Sequence, residues 1–311
     1  MEVVNSLKLG LKYQYVPNWP AISFPNTMNG AQLKDDNVQV SPLVIRASAG
    51  WAALRLVDLW EYRELLYFLI WRDLKVRYKQ TVVGVTWVMI QPTFLTLAFS
   101  IFFGRLAGVP SDGIPYPLFA YCGILPWQLF AQALSTSANS LVANERLITK
   151  VYFPRLIIPL ASVLAAMVDF LFAFVVLLAM TTFYRVGLTL NVFFVPVFVF
   201  LAVAIALSVG LWLSALNVQY RDVRHAIPFI MQFWFFVTPV VYPSSLVPER
   251  WHAVQGLNPL VGVVDGLRWA LLGSPEPSAV SMILSMTTTA VLLIGGFHYF
   301  RRMEKNFADL V

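Results

Sequence analysis

The chain has 311 residues, 59% hydrophobic and 12% charged, with a formal net charge of +6. Soluble domains carry about a quarter charged residues, and half that share leaves too little polar surface to coat a globule, so a water-soluble enzyme or binding domain is excluded and lipid is the expected solvent. The basic excess is spread between apolar stretches, the pattern of a membrane protein and not of a nucleic-acid-binding face.

Residues 1–53 lack the apolar core of a cleavable signal peptide and are broken by Pro17, Pro20, Pro25 and Pro42. They read as a weakly structured cytosolic tail. Residues 54–80 follow as an amphipathic segment. Leu56, Trp60, Tyr67, Trp71, Leu74 and Tyr78 share one side at about 100° per residue, with Asp58, Glu61, Arg72, Lys75 and Lys79 on the other. Aromatic rings opposite lysines describe a helix in the membrane interface. A cytosolic helix packed on the protein's own core is the alternative.

A span needs about 20 apolar residues, and six stretches qualify: 82–103, 117–143, 156–184, 192–216, 226–242 and 279–300. The fifth is short. An even number of crossings puts both termini on one side, and 18 of the 22 Lys and Arg fall on the face holding both termini and the loops after spans two and four. The positive-inside rule therefore predicts a multi-pass protein with cytosolic termini. The expected fold is all-α: six transmembrane helices (residues 81–300), an N-terminal interfacial helix, an external cap at 243–278 and a cytosolic tail at 301–311. Within the cap, Pro259, Asp265 and Arg268 make a full crossing by 257–273 costly, so that stretch is expected to be a re-entrant or interfacial helix. Gly262 and Gly266 form a small-xxx-small pair, a weak helix-contact signal.

Nothing in the chain resembles a soluble active site. His225, His252 and His298 lack metal-ligand spacing, so no metal is expected. Cys122 lies in an apolar stretch and reads as packing. No G-x-x-x-x-G-K-[ST] phosphate loop is present, and the chain is not expected to hydrolyse ATP or bind a cofactor itself. The spans are nearly free of ionisable groups, as a proton relay would not be. Asp169 is the exception; it reads either as a substrate or proton site or as a carboxyl hydrogen-bonded within the bundle. The absence of a clear internal repeat argues against a secondary carrier, and that of a filter or charge ring against a channel. Two loops, 144–155 (NERLITKVYFPR) and 217–225 (NVQYRDVRH), are short, charged and aromatic. Each reads equally as a connector or as a handle for a partner.

Six motifs occur in order: RDLKVRYKQTVVGVTW (72–87), GILPWQLF (123–130), NERLITKVYFPRLIIPL (144–160), YRDVRH (220–225), FVTPVVYP (236–243) and LNPL (257–260). From about Leu56 onward the chain resembles the type-2 ATP-binding-cassette permeases that export O-antigen, capsule and teichoic-acid polysaccharides. The resemblance implies a homodimeric permease of the bacterial cytoplasmic (inner) membrane, with two copies of a separate ATPase subunit holding ATP and Mg. It implies a lipid-linked glycan as cargo and no nucleic acid. It makes Asn144, Glu145, Arg146, Lys150 and Tyr152 the coupling helix, with Tyr220, Arg221, Asp222 and Arg224 beside it. Arg72, Lys75, Arg77 and Lys79 would flank the substrate gate and attract a lipid-borne anion, or alternatively ordinary anionic membrane lipids. Phe229, Phe233 and Phe236, at i, i+4 and i+7, with Tyr121, Trp127 and Phe130, are candidate rings along a channel at the dimer interface, the alternative being a packed or lipid-facing surface. A type-2 permease for a drug or small lipid is the competing reading.

Overall fold

The computed structural model describes residues 60–79, 84–187, 189–305 and 307. The N-terminal tail at 1–53 lies outside them. The described residues form helices and connecting turns. In chain order these are α1 (Arg63–Lys79), α2 (Thr86–Phe99), α3 (Tyr116–Ala143), α4 (Glu145–Lys150), α5 (Ile157–Phe183), α6 (Val195–Gln219), α7 (Val223–Val237), α8 (Glu249–Gly256), α9 (Pro259–Leu272) and α10 (Ala279–Glu304). Helix α2 runs on into a π-helical stretch, Ser100–Leu106, and a 3₁₀ turn, Leu190–Phe194, leads into α6.

Each of the expected spans corresponds to one of α2, α3, α5, α6, α7 and α10. Among the described residues, four segments are long and apolar enough to cross a membrane: Thr86–Leu106, Ile157–Phe183, Leu190–Gln219 and Ala279–Glu304. Helix α7 is short, at 15 residues. Helix α3 has ample length, 28 residues or about 42 Å, but amide and hydroxyl side chains dilute its apolar character. The last helix runs to Glu304, so Arg301 and Arg302 lie in its final turn, not in a separate tail.

Helix α3 is the axis of the bundle. Leu118–Trp127 is an unbroken buried run, and α5, α6, α7, α9 and α2 all pack around it. The helix ends sort into two layers. At one, Leu69 of α1, Leu141 of α3, Ile148 of α4, Ile157 of α5, Ala215 of α6 and Phe300 of α10 share a single apolar cluster. At the other, Tyr116 at the start of α3 donates to the carbonyl of Val241 beyond α7 (2.7 Å). This alternation is what antiparallel helices joined by short loops produce.

Helix α9 is buried on nearly every side. Its N-terminus is capped by the Asn258 side chain, which accepts from Leu260 N–H, and Gly273 closes it at φ 66°, where a side chain would be strained. Gly262 and Gly266 do mark close approach, but to different neighbours. A Cβ would sit 2.8 Å from Ser285 of α10 in the first case and 2.1 Å from Phe198 of α6 in the second.

Candidate functional site

The basic cluster of α1 is not one patch. Arg72 is engaged by its neighbour Asp73 (2.8 Å), and Lys75 stacks over Trp71 with Nζ 4.1 Å from the ring centre. Lys79 is exposed. Arg77 instead turns inward and pairs with Asp169 of α5, which also accepts from the Tyr78 hydroxyl. Asp169 lies twelve residues past Ile157, about 18 Å along the helix axis. Because Leu69 of α1 sits in the cluster at the start of α5, α1 climbs alongside α5 for its last two turns. The packed face of α1 is therefore Leu65, Leu66, Leu69, Ile70 and Arg77, with Tyr62 just before it, while the aromatic stripe expected from the sequence divides: Trp60, Tyr67 and Trp71 are exposed, and Tyr78 turns to Asp169. The inward carboxylate and guanidinium satisfy each other, which is the condition for tolerating charge at this depth.

Beside the pair lies a cavity of about 360 Å³, walled by Trp87 and Gln91 of α2, Gln128 and Gln132 of α3, and Asp169 and Phe170 of α5. The glutamines went unremarked in the sequence. The signal was present, because amides at 128 and 132 stand one helical turn apart in a stretch otherwise suited to lipid. Between Leu118 and Leu141 only six positions of α3 are not buried: Gln128, Ala131, Gln132, Ser135, Thr136 and Asn139.

The expected aromatic lining divides. Tyr121, Trp127 and Phe130 are packed in the core, not on an open surface. Tyr121 donates to the carbonyl of Ala173, and Trp127 and Phe130 stack among Phe235 and Trp234 of α7. Their rings hold α3 to α5 and α7, so no stacking face is left open. Phe229, Phe233 and Phe236 do form one outward face of α7, at 75%, 69% and 61% exposure.

The two charged loops stand at the same end of the bundle as Ile148 and Val218. Helix α4 is held by Ile148 and the following Phe153, both buried, which leaves Glu145, Arg146, Lys150 and Tyr152 outward. Tyr152 is 88% exposed, far beyond what burial of an aromatic ring would favour. Asn144 caps the end of α3, its side chain donating to the Ser140 carbonyl (2.8 Å). Tyr220, Arg221, Asp222 and Arg224 are likewise exposed. Arg155 differs: its backbone N–H donates to the Glu304 carboxylate (3.0 Å) and its guanidinium to the Glu304 carbonyl.

At the opposite end Arg268 of α9 is almost fully buried, its guanidinium donating to the carbonyls of Pro239 (2.7 Å) and Val240 (2.6 Å) and lying over the Phe119 ring. Asp265 accepts from Ser244 (2.6 Å) and stands 4.0 Å from Arg268. Burial pushes its carboxyl above the usual range, against the pull of Arg268. These contacts tie the turn after α7 to α3 and α9. No group of His, Cys, Asp and Glu that would hold a metal occurs among the described residues.

The sequence profile described as ABC-2 type transporter matches residues 64–272. The chain is 29% identical over 262 residues to the O-antigen export system permease protein RfbA of Myxococcus xanthus, covering 83% of this chain and 100% of that one. It is 29% identical over 249 residues to the protein of the same name from Klebsiella pneumoniae, covering 80% and 95%. To the polysialic acid transport protein KpsM of Escherichia coli it is 24% identical over 237 residues, covering 75% and 91%.

Proposed function

The chain belongs to the ABC-2 type transporter family, and from that membership we propose that it is the membrane-spanning permease subunit of an ATP-driven polysaccharide exporter in the bacterial inner membrane. The observation that carries the reading is the end-to-end similarity to an O-antigen export permease, which the chain covers over 100% of its length. Similarity to a polysialic acid transporter extends it to polysaccharide cargo as a class.

In this reading α2, α3, α5, α6, α7 and α10 are six crossings, and α9 with the segments around it is a re-entrant external cap. Both termini and the loops at 144–155 and 217–225 face the cytosol, as the basic residues of those segments favour. Two copies of the chain enclose the path, with the Phe229, Phe233 and Phe236 face of α7 toward the dimer interface. Two separate ATPase subunits supply ATP and Mg chemistry and grip Glu145, Arg146, Lys150 and Tyr152, with Tyr220, Arg221, Asp222 and Arg224 alongside. The exposure of Tyr152 and Tyr220 supports this, since exposed aromatic rings on short loops are typical anchors for another protein. Helix α1 lies at the gate, where Arg72, Lys75 and Lys79 attract the anionic end of a lipid-linked glycan.

Deletion of the gene, with complementation by the intact chain, tests the function. Surface polysaccharide should disappear and its lipid-linked precursor should accumulate on the cytosolic side. Unchanged surface glycan, with sensitivity to a drug or a shift in membrane lipid instead, would assign the small-substrate alternative.

A further inference from the structure

The geometry points to one face of α3 as the wall along which a neutral, hydroxyl-rich saccharide segment moves, starting at the cavity beside Arg77 and running toward Ala143. This rests on the export reading above and names the surface and cargo chemistry for it. Away from the helix ends, the exposed positions on the other long helices are mostly apolar, as hydrocarbon requires: Leu171 and Val175 on α5, Val197 and Phe200 on α6, Ile283, Val291 and Ile294 on α10, where Thr287 and His298 are the exceptions. Helix α3 inverts the pattern. Its six open positions lie within an arc of about 140°, and five of them carry an amide or hydroxyl. Thr136 and Asn139 are occupied within the protein, donating to the carbonyls of Gln132 (2.7 Å) and Ser135 (2.8 Å). The amides of Gln91, Gln128 and Gln132 and the hydroxyl of Ser135 make no side-chain hydrogen bond among the described residues. Polar groups with unmet bonds are costly against lipid tails, so this face meets water or a polar ligand.

Its chemistry selects the ligand. The face holds no Asp, Glu, Lys or Arg, and at the cavity Arg77 is already neutralised by Asp169. A polyanion finds no counter-charge here, and an apolar cargo, although Val88, Leu125, Leu129 and Phe170 also line the cavity, would leave the amides of Gln91, Gln128 and Gln132 without partners. Primary amides donate and accept equally, as sugar hydroxyls do, and Trp87 offers an exposed ring at the cavity for the apolar side of a pyranose. Bonds of this kind are individually weak and are exchanged readily for water, which suits a chain that must keep moving.

The test uses the assembled transporter in a Cys122→Ala background. Gln132→Cys and Ser135→Cys should react with a small hydrophilic thiosulfonate at least about tenfold faster than Phe200→Cys on the lipid-facing side of α6. Gln128→Leu with Gln132→Leu should lower glycan export by about fivefold or more, at normal protein level and with ATP hydrolysis retained. Rates matching Phe200→Cys would overturn the proposal, as would full export by the double leucine variant. So would labelling seen only in the isolated chain and lost in the complex, because a second copy would then cover the face. If the leucine variant fails to fold, the labelling rates decide alone. They also stand apart from the export reading, which fails instead if deletion leaves surface glycan unchanged.

Discussion

Arg77 and Asp169, 92 residues apart, form the ion pair that fastens the end of α1 against the middle of α5. Leu69 is the only fully buried residue of α1, and with Leu65, Leu66 and Ile70 it packs the first part of the helix, so the pair holds the other end. Asp169→Leu should leave Arg77 facing a cavity without its partner and lower stability by about 3 kcal/mol, the scale of breaking a buried pair. A detergent-solubilised melting curve reads this. Arg77→Met combined with Asp169→Leu should recover much of the loss. A double variant as unstable as the single one would mean that Asp169 acts through Tyr78 or the backbone instead.

Sidedness is tested by single cysteines in a Cys122→Ala background. Tyr152→Cys and Tyr220→Cys at one end of the bundle and Ser245→Cys at the other should label differently with an impermeant reagent on intact cells, only Ser245→Cys reacting. Asn217 is unsuited to such an experiment, because it is buried and donates to the carbonyl of Ala138 (3.0 Å). Labelling of Tyr152→Cys from outside would reverse the orientation drawn from the basic residues.

Much of the fold was legible because hydrocarbon imposes a simple rule, about 20 apolar residues per crossing. The helix Tyr116–Ala143 matches its expected limits of 117–143 almost to the residue. Which face of a helix meets what was far less legible. Tyr121, Trp127 and Phe130 look in sequence like rings along a path, but in an apolar helix an aromatic residue serves packing equally well, and here all three turn to α5 and α7. Likewise Arg77 groups in the sequence with Arg72, Lys75 and Lys79 but turns inward, because the partner that makes it tolerable lies 92 positions away. Periodicity carries no information about such pairings.

Removing the Tyr152 ring should weaken capture of the ATPase subunit roughly tenfold, the usual scale for an exposed aromatic anchor. Glu145→Lys with Arg146→Glu should slow assembly most at low ionic strength. Co-purification of the two subunits and ATPase rate in the reconstituted complex check both. Since Ile148 and Phe153 hold the loop in place, these variants should reach normal membrane levels. Wild-type assembly by the triple variant would move the docking surface elsewhere.

Gly123→Ala should destabilise the end of the bundle that holds Arg268. The new Cβ would fall 2.6 Å from both the Arg268 Nη2 atom and the Val240 carbonyl, which are themselves bonded. Overpacking of this kind costs about 1–3 kcal/mol, read as a lower melting temperature. Arg268→Lys should not substitute for arginine, because a single ammonium cannot span the Pro239 and Val240 carbonyls while lying over Phe119. A lysine variant of full stability would show that the forked geometry is dispensable.

The double tie between Arg155 and Glu304 makes the last turn of α10 a bracket for the loop that follows α4. Phe307 packs on Phe300 just beyond it. The end of α10 is thus wired to the loop proposed to meet the ATPase subunit, although the two are 149 positions apart. A purification tag or fluorescent fusion attached here would pull on that bracket, so a reporter meant to be silent belongs on another part of the molecule.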